Sequence, residues 1–189
     1  IRQEFTRVRA VPDEAAVHDL RVTIRRMLEA LRSLEDYVRP RAARQLRKRL
    51  RRVMKAAGAT RNLDIALALA EKARLPLTDP VVRPSLQRER AAAAQSLIEL
   101  LMLLPPEDVT APCRPQTGGP SAPVLAASIL PPMADRYWKA GEEAARRHSD
   151  WAGLHRFRLA TKHLRYTVEL FSPVYGARGV AAHDDRDGR

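Results

Sequence analysis

The chain of 189 residues suits one domain or two small, closely packed halves, and its apolar content of 45% is ordinary for a globular protein. Lys and Arg number 34 against 22 Asp and Glu, a net charge of +12 carried mainly by arginine, which points to an extended anionic partner. The lone Cys113 excludes a disulfide framework or a cysteine metal cluster within the chain, and no apolar run reaches the roughly 18–20 residues of a membrane span. The longest apolar piece, LIELLMLL at 97–104, contains Glu99 and ends at Pro105. No signal peptide opens the sequence, which begins at Ile1 rather than Met. A lone cysteine and no export signal are compatible with the cytoplasm.

In chain order, residues 1–13 read as a lead-in, with Asp13 the N-cap of a first helix over 14–38 that stops at Pro40. A second helix follows over 41–57, closed by Gly58. Its apolar stripe is Leu46, Leu50, Val53 and Ala57, and its outer face carries Arg44, Arg47, Lys48, Arg51, Arg52 and Lys55. Between Arg21 and Arg61 there are 14 basic residues, opposed only by Glu29, Glu35 and Asp36. Thr60 caps a third helix over 60–74, in which Arg61 and Asp64 are close enough to pair. The break LPLTDPVVRP leads to a fourth helix at 84–104, and the Pro-rich stretch 105–123 reads as a linker. A fifth helix spans 124–148, disturbed by Pro131 and Pro132. Asp150 caps a sixth, 151–172, ended by Pro173, and 176–189 read as a flexible tail. No strand candidate alternates cleanly for long. The expected fold is an all-α, internally duplicated antiparallel bundle of about six helices with a basic central groove: a first half at 1–104, the linker at 105–123 and a shortened second half at 124–175.

The duplication rests on a repeat at a constant offset of 137 residues. His18, Arg21 and Arg25 answer to His155, Arg158 and Lys162, and Leu20, Ile24, Met27 and Leu31 to Phe157, Thr161, Leu164 and Val168. At about 100° per residue, each copy separates an apolar stripe from a cationic one. In the second copy Leu154, Phe157, Leu164, Val168 and Phe171 oppose His155, Arg158, Lys162 and Arg165. In the first, Val17 to Leu34 oppose His18, Arg21, Arg25 and Arg32, with Asp19 and Glu29 pointing partly elsewhere. Like charges at this spacing repel by a few tenths of a kcal/mol per pair, a cost that an anionic partner offsets.

These paired H-x-x-R-V/L-x-x-R/K segments, with LHRFRLATKHLRYTVELF the stronger copy, resemble the CHAD family, the conserved histidine α-helical domain. The Gly58–Asp64 stretch resembles that family's Gly-x-x-Arg-Asp-x-Asp segment, with Asn62 where an Asp is usual. The resemblance covers residues 14–175 and implies a polyphosphate-binding helical bundle, some members of the family being associated with polyphosphate granules. It implies ligand roles for His18, Arg21, Arg25, Arg26, Arg61, His155, Arg158, Lys162, Arg165 and Tyr166. Two departures accompany it. The chain stops soon after Gly176, where the family usually continues with a further helical segment, and no acidic E-x-E-x-K segment of a fused triphosphatase occurs.

The residue types suit that ligand. Polyphosphate carries charge at nearly every phosphate and no bases to read, so recognition calls for guanidinium forks and ammonium groups repeated along a line. Arg47, Lys48, Arg51, Arg52 and Lys55 extend the line on the second helix, although six cations cover more arc than one groove uses. The alternative for each cation is plain surface charge, except for Arg61, where it is an internal orienting pair with Asp64. For His18 and His155 it is a structural hydrogen bond, and for Tyr166 a packing role. His163 lies off the cationic stripe and reads as a flank contact. An imidazole beside phosphates favours its protonated form, so affinity is expected to rise as pH falls from about 7.5 to 6. One imidazole per helix falls short of the three or four ligands of a zinc site, and no cofactor or metal is expected. With no paired carboxylates beside the basic stripes, catalysis is not expected either. A nucleic-acid backbone binder is the main rival, disfavoured by the lack of exposed aromatics interleaved with the cations. A scaffold for an acidic protein is the second.

Overall fold

A computed structural model describes residues 1–72, 82–105, 108–109, 119–146 and 150–184, with side chains as far as Tyr175. Among them the chain is all α: helices α1 (Arg2–Ala10), α2 (Glu14–Ser33), α3 (Pro40–Lys72), α4 (Val82–Met102), α5 (Ala122–Arg146) and α6 (Trp151–Asp184), with a 3-10 turn at Glu35–Tyr37. The chain divides into two compact units. The first comprises residues 1–28 and 38–114, the second 29–37 and 115–189, so α2 contributes to both.

In the first unit the core is built from Phe5 and Val8 of α1, Ala16, Val17, Leu20 and Ile24 of α2, Leu46, Leu50, Val53 and Ala57 of α3, and Ala94, Leu97 and Leu101 of α4. Each fully buried large apolar side chain contributes roughly 1.5–3 kcal/mol. Helix α1 replaces the expected lead-in. Phe5 and Val8 lie one turn apart and are fully buried, and Arg9 donates to the carbonyl of Leu101 in the last turn of α4 and to that of Leu104 just beyond it. Asp13 caps α2 as expected, its Oδ1 accepting from the Ala16 N–H at 2.6 Å.

The chain does not break at Gly58. Helix α3 runs through it for 33 residues, and Thr60, expected as a cap, is buried inside the helix with its hydroxyl donating to the Ala56 carbonyl at 3.3 Å. An interior glycine costs roughly 0.5–1 kcal/mol, and the buried stripe Val53, Ala57, Thr60, Asp64 passes through it in phase, so packing overrides the local signal. Arg61 and Asp64 do not pair. Asp64 binds Arg90 at 2.9 Å, and Arg61 pairs with Glu14.

In the second unit α5 packs along α6. A Cβ at Gly141 would stand 3.0 Å from the Phe157 ring, and Tyr137 lies 5.3 Å from the same ring. Pro131 and Pro132 lie inside α5, and α6 passes through Pro173 to Asp184 instead of ending at 172 with a frayed tail beyond. Its buried stripe is also rotated from the expected one: Gly153, Thr167 and Phe171 are buried, with Phe157, Ala160 and Leu164 half-buried between them, while Leu154 and Val168 are 37% and 38% exposed. Helix α2 ends at Ser33, short of the expected 38. The stretch 73–81, most of the expected linker (106–107 and 110–118) and the last residues 185–189 lie outside the described residues.

Candidate anion-binding site

The first unit gathers cations on α2 and α3. Over Pro40–Gly58, α3 carries eight Lys and Arg and no Asp or Glu. Measured about the axis from Gly58, Arg44, Arg47, Arg51, Lys55 and Arg61 all fall within about 60°, a row of about 25 Å at 1.5 Å per residue. This row lies away from the buried face of Leu46, Leu50, Val53 and Ala57. Residues Arg44, Gln45, Arg47, Lys48, Arg51, Arg52 and Lys55 line an open, shallow hollow of about 640 Å³. Arg44, Lys48, Arg51, Arg52 and Lys55 are exposed, and Arg47 is half-buried.

At Gly58 the row meets α2. The guanidinium of Arg21 donates to the Met54 carbonyl at 3.4 Å and occupies the space a side chain at residue 58 would need, 2.9 Å from a Cβ built there. Burial pushes the Arg21 guanidinium below its ordinary pKa, and the charges of Arg25 and Arg61 push it in the same direction. Arg25 donates to the Arg21 carbonyl at 3.3 Å. Three guanidiniums from two helices thus lie close enough to repel, with the carboxylate of Glu14 on Arg61. His18 and Arg26 are exposed on α2.

In the second unit His155 and Arg158 are exposed and Lys162 is half-buried, all on the side of α6 opposite its buried stripe. Arg165 pairs with Glu169 at 3.5 Å and lies over the Tyr166 ring, 4.8 Å from its centroid. Tyr166 is only 8% exposed. Glu29, expected to point partly elsewhere, falls on the cationic stripe of α2 and is buried. It accepts from Nδ1 of His163 at 2.5 Å, and Arg32 donates to Nε2 of the same ring at 2.8 Å. A hollow of about 700 Å³ beside this bridge is lined by Arg32, Arg136 and Arg156 together with Glu29, Glu35 and Asp36. Its charges balance, unlike those of the α3 row.

A family model, that of the CHAD domain, matches residues 1–185. The chain belongs to the CHAD family. No curated protein and no solved structure matches it. Within this CHAD domain no described helix is long and apolar enough to cross a membrane, and no three described His, Cys, Asp or Glu side chains are grouped to hold a metal ion. Sequence reasoning missed Glu14 and the Glu29–His163 bridge of the CHAD domain. The signal for Glu29 was its helical phase, three turns on from His18. For Glu14 there was none, because its partner lies 47 residues away.

Proposed function

We propose that this chain binds linear inorganic polyphosphate and holds it without turning it over. The observation that carries the reading is the unbroken basic row of α3, which the Arg21 guanidinium joins at Gly58. Charge repulsion among Arg21, Arg25 and Arg61 is unfavourable in the free protein and is relieved when an anion enters. A polyanion lying along α3 meets one cation per turn and releases counterions as it binds, by analogy with nucleic acids. His155, Arg158 and Lys162 are the contacts proposed for the second unit. Turnover is left out of the proposal because the row offers charge and hydrogen-bond donors without a nucleophile or paired carboxylates beside them. Retention at polyphosphate granules in the cytoplasm is the cellular setting that follows from this reading.

The test is titration with long-chain polyphosphate at physiological salt, beside duplex DNA and a variant combining Arg21→Ala, Arg25→Ala, Arg158→Ala and Lys162→Ala. The expected result is micromolar or tighter binding that prefers polyphosphate and collapses in a variant whose circular dichroism still reports a folded helical protein. Equal binding to both polymers, or no loss in the variant, refutes the reading.

A further inference from the structure

Among the described residues, Glu14 is the carboxylate paired within the arginine cluster. It stands in the first turn of α2, where the helix end favours negative charge. It pairs with Arg61, the carboxylate side chain 60% exposed and the arginine 27%. The acid nearest along the helix is committed elsewhere: Asp64 is buried against Arg90. Arg21 and Arg25 instead donate to backbone carbonyls. One guanidinium of the three is therefore already matched by an anion that belongs to the protein.

Resting on the polyphosphate reading, we infer that Glu14 is a specificity-determining residue, a tethered competitor for Arg61 that selects against short phosphate chains. A tethered group competes at an effective concentration that does not change with the ligand. A short chain reaching the cluster either displaces Glu14 or makes do with Arg21 and Arg25, so a large share of its binding is at stake. A long chain also lies along the row from Arg44 to Lys55, and one contested arginine is a small share of its contacts. Because Glu14 is mostly exposed, its displaced carboxylate swings into water and leaves no buried charge behind.

Glu14→Gln removes the competitor and keeps the side-chain shape. Titrated at one ionic strength, the variant is expected to bind tripolyphosphate about three- to fivefold more tightly, while its affinity for long-chain polyphosphate changes less than about twofold. In an Arg61→Met background the same substitution is expected to change tripolyphosphate binding not at all. Equal gains on both ligands, no gain or a loss on tripolyphosphate, or a gain that persists without Arg61 each overturn the inference. Wild-type protein that fails to bind the long chain sinks the polyphosphate reading, and the inference with it. Wild-type protein that binds the long chain while Glu14→Gln leaves tripolyphosphate unmoved sinks the inference alone.

Discussion

The guanidinium of Arg21 lies 2.9 Å from where the Cβ of a side chain on residue 58 would stand, too close for both to keep their places. Gly58 therefore admits a cation to the surface of α3 at the expense of helix stability, since glycine in a helix interior is worse than alanine by about 1 kcal/mol. Gly58→Ala forces only the flexible end of Arg21 to move. Its thermal melting point is expected to stay level or rise while polyphosphate affinity falls severalfold. A variant that melts lower and binds unchanged would assign the glycine to packing instead.

Arg25→Gln is expected to stabilise the free protein by about 0.2–0.5 kcal/mol, because it removes one charge that depresses the Arg21 pKa. The same change is expected to weaken polyphosphate binding, so ligand reverses the order of melting temperatures. pH does not imitate it. A depressed native pKa means the unfolded chain holds its proton more tightly, so stability rises with pH only as Arg21 titrates. That window lies in the arginine range, and from about pH 6 to 9 the penalty is constant. Melts across that range in Arg25→Gln and wild type should run parallel.

Arg90 bridges Asp64 at 2.9 Å and the Pro12 carbonyl at 2.5 Å, tying α4 to α3 and to the loop before α2. Asp64 is only 7% exposed at its side chain. Arg90→Met leaves that carboxylate without its counter-charge, at an expected cost of about 3 kcal/mol. Asp64→Asn, which keeps a hydrogen-bond acceptor, is expected to cost clearly less. Urea unfolding midpoints of the two variants check the order.

His163→Ala removes the donor to Glu29, whose side chain is 8% exposed. The expected loss is about 1–3 kcal/mol in urea unfolding. In a Glu29→Ala background the same substitution should cost much less, because the buried carboxylate it strands is gone.

The parts of the fold that follow from short-range pattern were legible. Asp13 caps α2 and the Leu20–Ile24–Leu31 stripe is buried, because capping and helical phase are decided within one or two turns. Two breakers misled: Gly58 and Pro173 each lie inside a helix they were expected to end. At Gly58 the local cost of about 1 kcal/mol is outweighed by the buried stripe that runs through it on both sides. Helix α1 is short and becomes visible only through the α4 carbonyls that Arg9 meets. The cations of the candidate site could be named from sequence because they lie in one helical phase. Glu14 as the partner of Arg61, and the pairs Asp64–Arg90 and Glu29–His163, could not be, since each joins residues far apart in the chain.

The segment 29–37 belongs to the second unit although it is made with the first. Glu29 and Ser33 emerge 134 residues ahead of His163 and Thr167, the side chains that complete them. A growing chain thus finishes most of one unit while the first piece of the other stays unpaired, and contacts of such wide sequence separation form slowly. Severing the chain between residues 105 and 123 leaves the C-terminal fragment without that piece, so the two units are inherited as a pair.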